Sequence, residues 1–355
     1  MKKVAVLTIN DNNNYGNRLQ NYAVQEILKK YEVEPENVRN LNICIGVFLK
    51  RIIKRILNLN NQRYKEKRLK NFRKFNKNIK FSKYIILNKK VPKKINKKYI
   101  TFFTGSDQVW NPNFGRMSNI DFLTFAPKEK RNSISASFGI SEIPENLKEF
   151  YRNNLLQMNN ISVREDRGKE IVEELTGRTD VEVLIDPTML LTAEEWDRVS
   201  KKPEHIRIPK KYILNYFLGE LSKNRKNEIE RIAKENNCEV INILDEKDPF
   251  FTSGPSEFLY LEKNAFLICT DSFHSCVFAI IYNRPFIVFK RDDNTVSMNS
   301  RLETLLSKFK LIERYNKDNR ISKEMLNHDY KETYKILEEE KQKSYDFIKK
   351  IFEKK

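Results

Sequence analysis

Short apolar runs alternate with helical periodicity in two successive series, which predicts an α/β fold with two parallel-sheet domains. At 355 residues the chain is long enough for two separate cores. Hydrophobic residues make up 39% and aromatics 11%, enough to exclude a disordered chain. The apolar runs are followed by polar loops and then by spacing of about 3.6 residues, as in βα units.

In the first series, residues 3–9 read as a strand, 11–17 as a loop and 18–31 as a helix. The helix places Leu19, Tyr22, Ala23, Ile27 and Leu28 at helical spacing. Further strands are expected at 99–103, 132–137, 161–163 and 181–185, the last ending at Asp186-Pro187. A second series follows Thr188, with strands at 212–218, 239–244, 266–270 and 285–289. Helices are expected near 223–236, 256–262, 274–282 and 298–309. The expected organisation is an N-terminal domain over 1–190, a C-terminal domain over 191–330, and a charged helix over 331–355 that packs on a surface. The domain boundary lies between Leu190 and Tyr212, where charged and proline-containing sequence interrupts the pattern.

The formal net charge of +19 is concentrated in one segment. Residues 50–98 hold twenty Lys or Arg and a single acid, Glu66, leaving 47 basic and 47 acidic residues elsewhere. A basic insertion over about 38–98 is therefore expected in the first domain. Its apolar residues Phe48, Leu49, Ile52, Ile53, Ile56, Leu57, Phe72, Phe75 and Phe81 suggest amphipathic helices. Such a surface suits contact with anionic lipid; a solvated insertion that aids solubility accounts for the same charge. No nucleic-acid-binding motif accompanies it, so a nucleic-acid partner is not expected.

Cys44, Cys238, Cys269 and Cys276 have neither C-x-x-C spacing nor the density of a disulfide scaffold, and read as reduced thiols of a cytoplasmic protein. The apolar run at 4–9 is too short for a signal-peptide core. No stretch reaches the ~18 apolar residues that span a bilayer.

Three polar clusters fall at predicted strand ends, where open parallel sheets bind ligands. The first is Thr270-Asp271-Ser272-Phe273-His274-Ser275-Cys276, between a buried strand and an apolar helix. There an anion is matched by helix N–H groups and by His274 as cation or proton donor. Alternatively, Asp271 or Ser272 caps the helix and His274 is a core residue. The second is the Asn-rich loop 10–18, whose Asn14 and Asn17 suit sugar hydroxyls or a plain turn, and which lacks both phosphate-loop patterns. The third runs over 104–110, where Gly105 permits a tight turn, Asp107 and Gln108 can hold hydroxyls, and Trp110 either stacks on a sugar or fills the core. Nearby, Arg164 suits a carboxylate or phosphate, or pairs with Glu165 or Asp166.

The three histidines, His205, His274 and His328, lie far apart without ligand-like spacing, so no metal is expected. Ser272, Ser275 and Cys276 stand too close in sequence to His274 to complete a nucleophilic triad.

Several motifs recur in a specific order: Tyr15-Gly16-Asn17-Arg18-Leu19-Gln20-Asn21-Tyr22-Ala23, Gly105-Ser106-Asp107-Gln108-Val109-Trp110-Asn111, Ser162-Val163-Arg164-Glu165 and Asp186-Pro187-Thr188. They continue with Gly254-Pro255-Ser256-Glu257-Phe258, Thr270-Asp271-Ser272-Phe273-His274 and the stretch from Ser297 to Arg301. In order and spacing the set resembles the polysaccharide pyruvyl transferase family, with about 38–98 outside the matching motifs.

The resemblance implies a glycosyltransferase-B type fold, two Rossmann-like domains facing a central cleft. It implies transfer of a pyruvyl group from phosphoenolpyruvate to a sugar of a cell-surface polysaccharide or its lipid-linked precursor, forming a ketal and releasing phosphate. Phosphoenolpyruvate is then a co-substrate and no cofactor is expected. Asn14, Tyr15, Asn17, Gly105, Ser106, Asp107, Gln108 and Trp110 would lie on the acceptor side. Arg164, Ser272, His274 and Ser275 would meet phosphoenolpyruvate, with His274 as general acid. Phe273 stands where some relatives place an Arg near the His, so another cation is needed from Lys290, Arg291 or Arg301. Ser275 stands where many have Gly. A nucleotide-sugar-dependent glycosyltransferase of the same architecture and a non-catalytic basic membrane- or nucleic-acid-binding protein are the alternative readings.

Overall fold

The computed structural model describes residues 1–41, 62–115, 117–290, 297–316 and 320–353. Cys44, the apolar residues predicted helical at 48–57, and Arg291 lie outside the described residues.

Seven strands form the first sheet: β1 (Lys2–Leu7), β2 (Val33–Leu41), β3 (Phe81–Leu87), β4 (Thr101–Asp107), β5 (Arg131–Ala136), β6 (Ile161–Val163) and β7 (Val181–Val183). Their order is β3-β2-β1-β4-β5-β6-β7, every pair parallel. The second sheet comprises β8 (Tyr212–Tyr216), β9 (Glu239–Asn242), β10 (Leu267–Thr270), β11 (Phe286–Phe289) and β12 (Tyr315–Asn316). It is ordered β12-β11-β10-β8-β9 and is also wholly parallel. Both orders are doubly wound, and each reverses direction once, between β1 and β4 and between β8 and β10.

Local chemistry explains the elements. β10 and β11 read Leu-Ile-Cys-Thr and Phe-Ile-Val-Phe with every residue buried, as strands covered on both faces require. α1 (Tyr15–Lys29) begins three residues earlier than its apolar spacing suggests, because Asn14 caps it by accepting from the Asn17 N–H. The expected loop at 11–17 is therefore half helix. β2 was not foreseen, since Val33–Leu41 carries Pro35 and several charges. In the fold Glu36 takes Lys3 at 2.5 Å and the Tyr99 hydroxyl at 2.6 Å, while Lys3 and Lys80 pair with Glu34. These contacts offset the cost of placing acids in an inner strand.

The chain divides into two compact units, one of residues 1–59, 77–190 and 340–355, the other of 60–76 and 191–339. Two exchanges depart from a continuous division. One involves α2 (Gln62–Phe75), the described helix of the basic insertion, which belongs to the second unit. It docks through its buried residues: Arg68 donates to the carbonyls of Phe251 and Ser253 and lies between the Phe72 and Phe251 rings, and Asn71 donates to Thr252 O. Phe81, grouped with helical residues in the sequence, is the first residue of β3. The other exchange is at the C-terminus.

Between them lie α3 (Glu145–Leu156) and α4 (Asp166–Thr176) in the first unit, and α5 (Lys223–Glu235), α6 (Pro255–Asn264), α7 (Phe273–Ile281) and α8 (Ser297–Lys308) in the second. α9 (Lys331–Glu353) starts in the second unit, where the Tyr334 hydroxyl donates to Ile280 O, and from Glu340 belongs to the first. There Tyr345 donates to Leu190 O, and Phe352 stacks on Tyr31 at 5.3 Å.

A Cβ added at Gly254 would lie 2.8 Å from the Asn71 backbone carbon and 3.0 Å from its carbonyl oxygen. Gly254→Ala is therefore expected to destabilise the protein by about 1–3 kcal/mol through overpacking against α2. A lower urea midpoint at constant m-value checks this; an unchanged midpoint contradicts it.

Candidate functional site

Both direction reversals collect polar residues at strand carboxyl ends. In the first unit, the β4 end runs Gly105-Ser106-Asp107 beside the loop from β1 into α1. Arg18, almost wholly buried, holds that loop by donating to Ile9 O (3.0 Å) and Asn10 Oδ1 (3.2 Å). Burial lowers its pKa to about 10, partly opposed by Asp11. Gln20 donates to Thr8, and Thr8 to Ser106 O, joining helix, β1 and β4. The Asn17 amide donates to Asp107 Oδ2, and the Gln108 N–H to Asp107 Oδ1 at 2.8 Å.

Arg164, at the end of β6, is buried with Nη1 2.7 Å from Asp186 Oδ2. Asp107 lies 3.8 Å and Glu165 4.0 Å from the guanidinium, while the Glu165 carboxylate accepts from the Ser137 hydroxyl at 2.5 Å. Burial opposes the charge of Arg164, but Asp186, Glu165 and Asp107 together overcome it and hold the pKa above the ordinary arginine value. The sequence offered Glu165 or Asp166 as ionic partners; the close partner is Asp186, 22 residues away. Asp186 also accepts from the Ser106 hydroxyl (2.8 Å) and from the N–H and hydroxyl of Thr188.

Several expected acceptor contacts are placed differently. Trp110 is wholly buried, stacked on Phe122 at 5.4 Å, and donates through Nε1 to Asp121 O, so the indole belongs to the core and presents no face to a sugar. Tyr15 is likewise fully buried, and the Ser106 hydroxyl is committed to Asp186. Gln108 is held through Oε1 by the Asn111 amide. Of the expected acceptor contacts, Asn14 is half-buried, and Asn17 and Asp107 lie just below the surface.

In the second unit, β10 delivers Thr270-Asp271 to the start of α7. The Thr270 hydroxyl donates to Tyr216 O (2.7 Å) and accepts from the Ser272 N–H (2.9 Å). The Asp271 carboxylate accepts from Leu218 N (2.7 Å) and Gly219 N (2.8 Å), fastening the loop after β8. Ser272 stands at the N-cap position of α7 without a side-chain capping hydrogen bond. All nine residues of α7 are buried, which fixes the helix and its first turn, Phe273-His274-Ser275. Amide groups of a first helical turn point outward and favour anions. The His274 ring is 8% exposed and meets the edge of the Phe273 ring at 5.4 Å.

Ser275 is turned inward. Its hydroxyl donates to Glu262 Oε1 at 2.5 Å, both residues being fully buried. Cys276 is fully buried as well, and burial, then Glu262 and Asp271, push its thiol well above the ordinary value, so it supplies no thiolate. Arg301, on α8, is nearly buried. Among the described residues, no group of three or more His, Cys, Asp and Glu is arranged to hold a metal ion.

A family model for polysaccharide pyruvyl transferases matches residues 14–293. The chain belongs to the polysaccharide pyruvyl transferase family. The matched range takes in both strand-end clusters and runs through the basic insertion. Membership makes this pyruvyl transferase family protein an enzyme of the transferase class, and its two Rossmann-like units give a fold of the glycosyltransferase-B type. No curated protein matches the sequence. Similar solved structures include a protein assigned as a UDP-N-acetylglucosamine 2-epimerase from Listeria monocytogenes, 11% identical over 98% of this chain and 90% of that one, TM-score 0.49. Another is the UDP-GlcNAc 2-epimerase of Methanocaldococcus jannaschii, 15% identical over 95% of this chain and 99% of that one, TM-score 0.48.

Glu262 carried no sequence signal, because its importance comes from burial alone. Burial raises its carboxyl pKa well above 4.5, with the Ser275 hydrogen bond opposing. A raised folded-state pKa contributes stability that is fully present below 4.5 and is lost as pH rises toward the folded value. Glu262→Gln is therefore expected to melt higher than wild type at pH 8, with the advantage vanishing near pH 4.5. Parallel melting curves for the two proteins across that range would contradict it.

Proposed function

We propose that the protein transfers a pyruvyl group from phosphoenolpyruvate to a saccharide, forming a cyclic ketal and releasing phosphate. The observation that carries this reading is His274 in the first turn of α7, at the β8–β10 reversal, within the span matched by the family model. A helix start with a histidine offers both anion stabilisation and a proton donor.

The chemistry follows from the substrate. Protonation of the enol carbon creates an oxocarbenium-like centre, a sugar hydroxyl attacks it, a second hydroxyl closes the ketal, and phosphate departs. His274 serves as the acid. Arg164 is the proposed cationic contact of the donor, held charged by its acidic neighbours. Arg301 and Arg291 complete the proposed cationic set; Ser275 contributes its backbone N–H, since its hydroxyl is taken by Glu262, and Ser272 its hydroxyl, since its N–H is taken by Thr270. Asn14, Asn17 and Asp107 are the proposed acceptor contacts.

A lipid-linked acceptor on an inner, cytoplasmic membrane face is the second part of the proposal. It is supported by α2, which buries Arg68, Phe72 and Phe75 and leaves Arg63, Lys65, Lys67, Lys70, Arg73 and Lys74 exposed. No helix among the described residues is long and apolar enough to cross a membrane.

Phosphate release from phosphoenolpyruvate with a panel of sugars is expected for the wild type. Loss of the acid in His274→Ala is expected to cut it by about 100- to 10,000-fold. His274→Ala should also abolish the thermal shift caused by phosphoenolpyruvate, and activity surviving both His274→Ala and Arg164→Ala removes the assignment. Sedimentation with phosphatidylglycerol vesicles is expected for the wild type and should weaken when Lys67, Lys70, Arg73 and Lys74 are replaced by Gln. Equal sedimentation, or none with wild type, counts against the membrane contact.

A further inference from the structure

We propose that Asp107 is the base that accepts the proton of the attacking acceptor hydroxyl, an assignment that rests on the pyruvyl-transfer reading above. Ketal formation needs more than an acid. Two hydroxyl groups must lose their protons, and a sugar hydroxyl is too weak a nucleophile to attack unaided at neutral pH.

Asp107 differs from its acidic neighbours in what holds it, and is the most exposed of the three at 6%, against 3% for Glu165 and 1% for Asp186. The guanidinium of Arg164 faces three carboxylates, so one positive charge is set against three negative ones. Asp186 takes the close contact at 2.7 Å and is further occupied by Ser106 and Thr188. Glu165 accepts from Ser137 and from the Gly139 N–H. Asp107 stands at 3.8 Å from the guanidinium, beyond hydrogen-bond length, and is oriented by two neutral donors, the Asn17 amide and the Gln108 N–H. Each carboxylate oxygen retains a further lone pair. With Asp186 making the close ion pair, Asp107 is a carboxylate oriented by neutral donors, yet close to whatever that guanidinium holds.

Its backbone points the same way. Asp107 has φ of 71°, the left-handed region, at the last residue of β4 and beside the sheet's direction reversal. Ser135, in the neighbouring strand, is also left-handed at 46°. Non-glycine residues in this region are uncommon and gather at functional sites.

The step balances without an oxidant or reductant. In the first addition the hydroxyl oxygen bonds to C2 of phosphoenolpyruvate, the C2–C3 π pair takes a proton at C3 from the acid, and the hydroxyl's own proton passes to Asp107. In the second, the neighbouring hydroxyl attacks C2, the C2–O bond to phosphorus breaks, and phosphate leaves with the bonding pair and carries the second proton. Exchange with solvent restores Asp107 and the acid.

Asp107→Asn keeps shape and removes the base, while Asp107→Gly suits the left-handed backbone and opens space for a small carboxylate. Both are expected to lower kcat by about 100- to 10,000-fold while KM for phosphoenolpyruvate stays within about threefold. Added sodium formate should restore part of the turnover of Asp107→Gly and none of Asp107→Asn, a response that a purely structural role does not give. Asp107→Asn turning over within about tenfold of wild type, a loss confined to KM for phosphoenolpyruvate, or no response to formate overturns the assignment. Wild-type protein that releases no phosphate from phosphoenolpyruvate with any sugar removes the transfer reading and this inference together. An active wild type with an equally active Asp107→Asn removes the base alone.

Discussion

The buried carboxylate of Asp186 is the interaction around which the first unit's strand ends are organised. It accepts from the Ser106 hydroxyl after β4, from Arg164 after β6, and from the backbone and side chain of Thr188 as the chain leaves the unit. Arg164 and Asp186 are both almost wholly removed from solvent. Breaking a buried pair of this kind by removing one partner costs about 3–5 kcal/mol, because the remaining charge is left uncompensated. The same contacts hold Asp107 beside Arg164, so the geometry of the cluster follows from how this one carboxylate is satisfied.

The second unit solves the same problem with a different residue. Parallel strands bring their carboxyl ends together, and the polar groups there must find partners once buried. Asp271 is used to fasten the loop after β8, which leaves the first turn of α7 to be positioned by packing of its apolar residues. Glu262 and Ser275 fix that turn from beneath as a hydrogen-bonded pair with no access to water. Burial raises the Glu262 carboxyl pKa and so disfavours a negative charge under a helix start suited to anions.

The basic insertion shows how charge is made compatible with docking. α2 carries most of its cations on exposed positions, and Arg68, its buried one, is paired with backbone carbonyls and aromatic faces. The helix is thus held by a few specific contacts while its charge stays outward.

Much of this was legible in the sequence. Apolar runs such as those of β1, β10 and β11 declare buried strands, and the order of the motifs at 15–23, 105–111, 162–165 and 270–274 marks strand ends and the family. β2 was hidden because its proline and acids are tolerated only through Lys3, Lys80 and Tyr99, partners distant in sequence. Trp110 and His274 looked alike as polar-ended rings near strand ends; packing made one a core residue, while the other stays at the first turn of a buried helix. The sequence by itself determined which residues stand at the ends of parallel strands, since periodicity is a local property. Only the tertiary structure decided that Arg164 answers to Asp186, that Ser275 turns inward to Glu262, and that Asp107 is oriented by Asn17 and the Gln108 N–H, because burial and pairing depend on groups brought together from far along the chain.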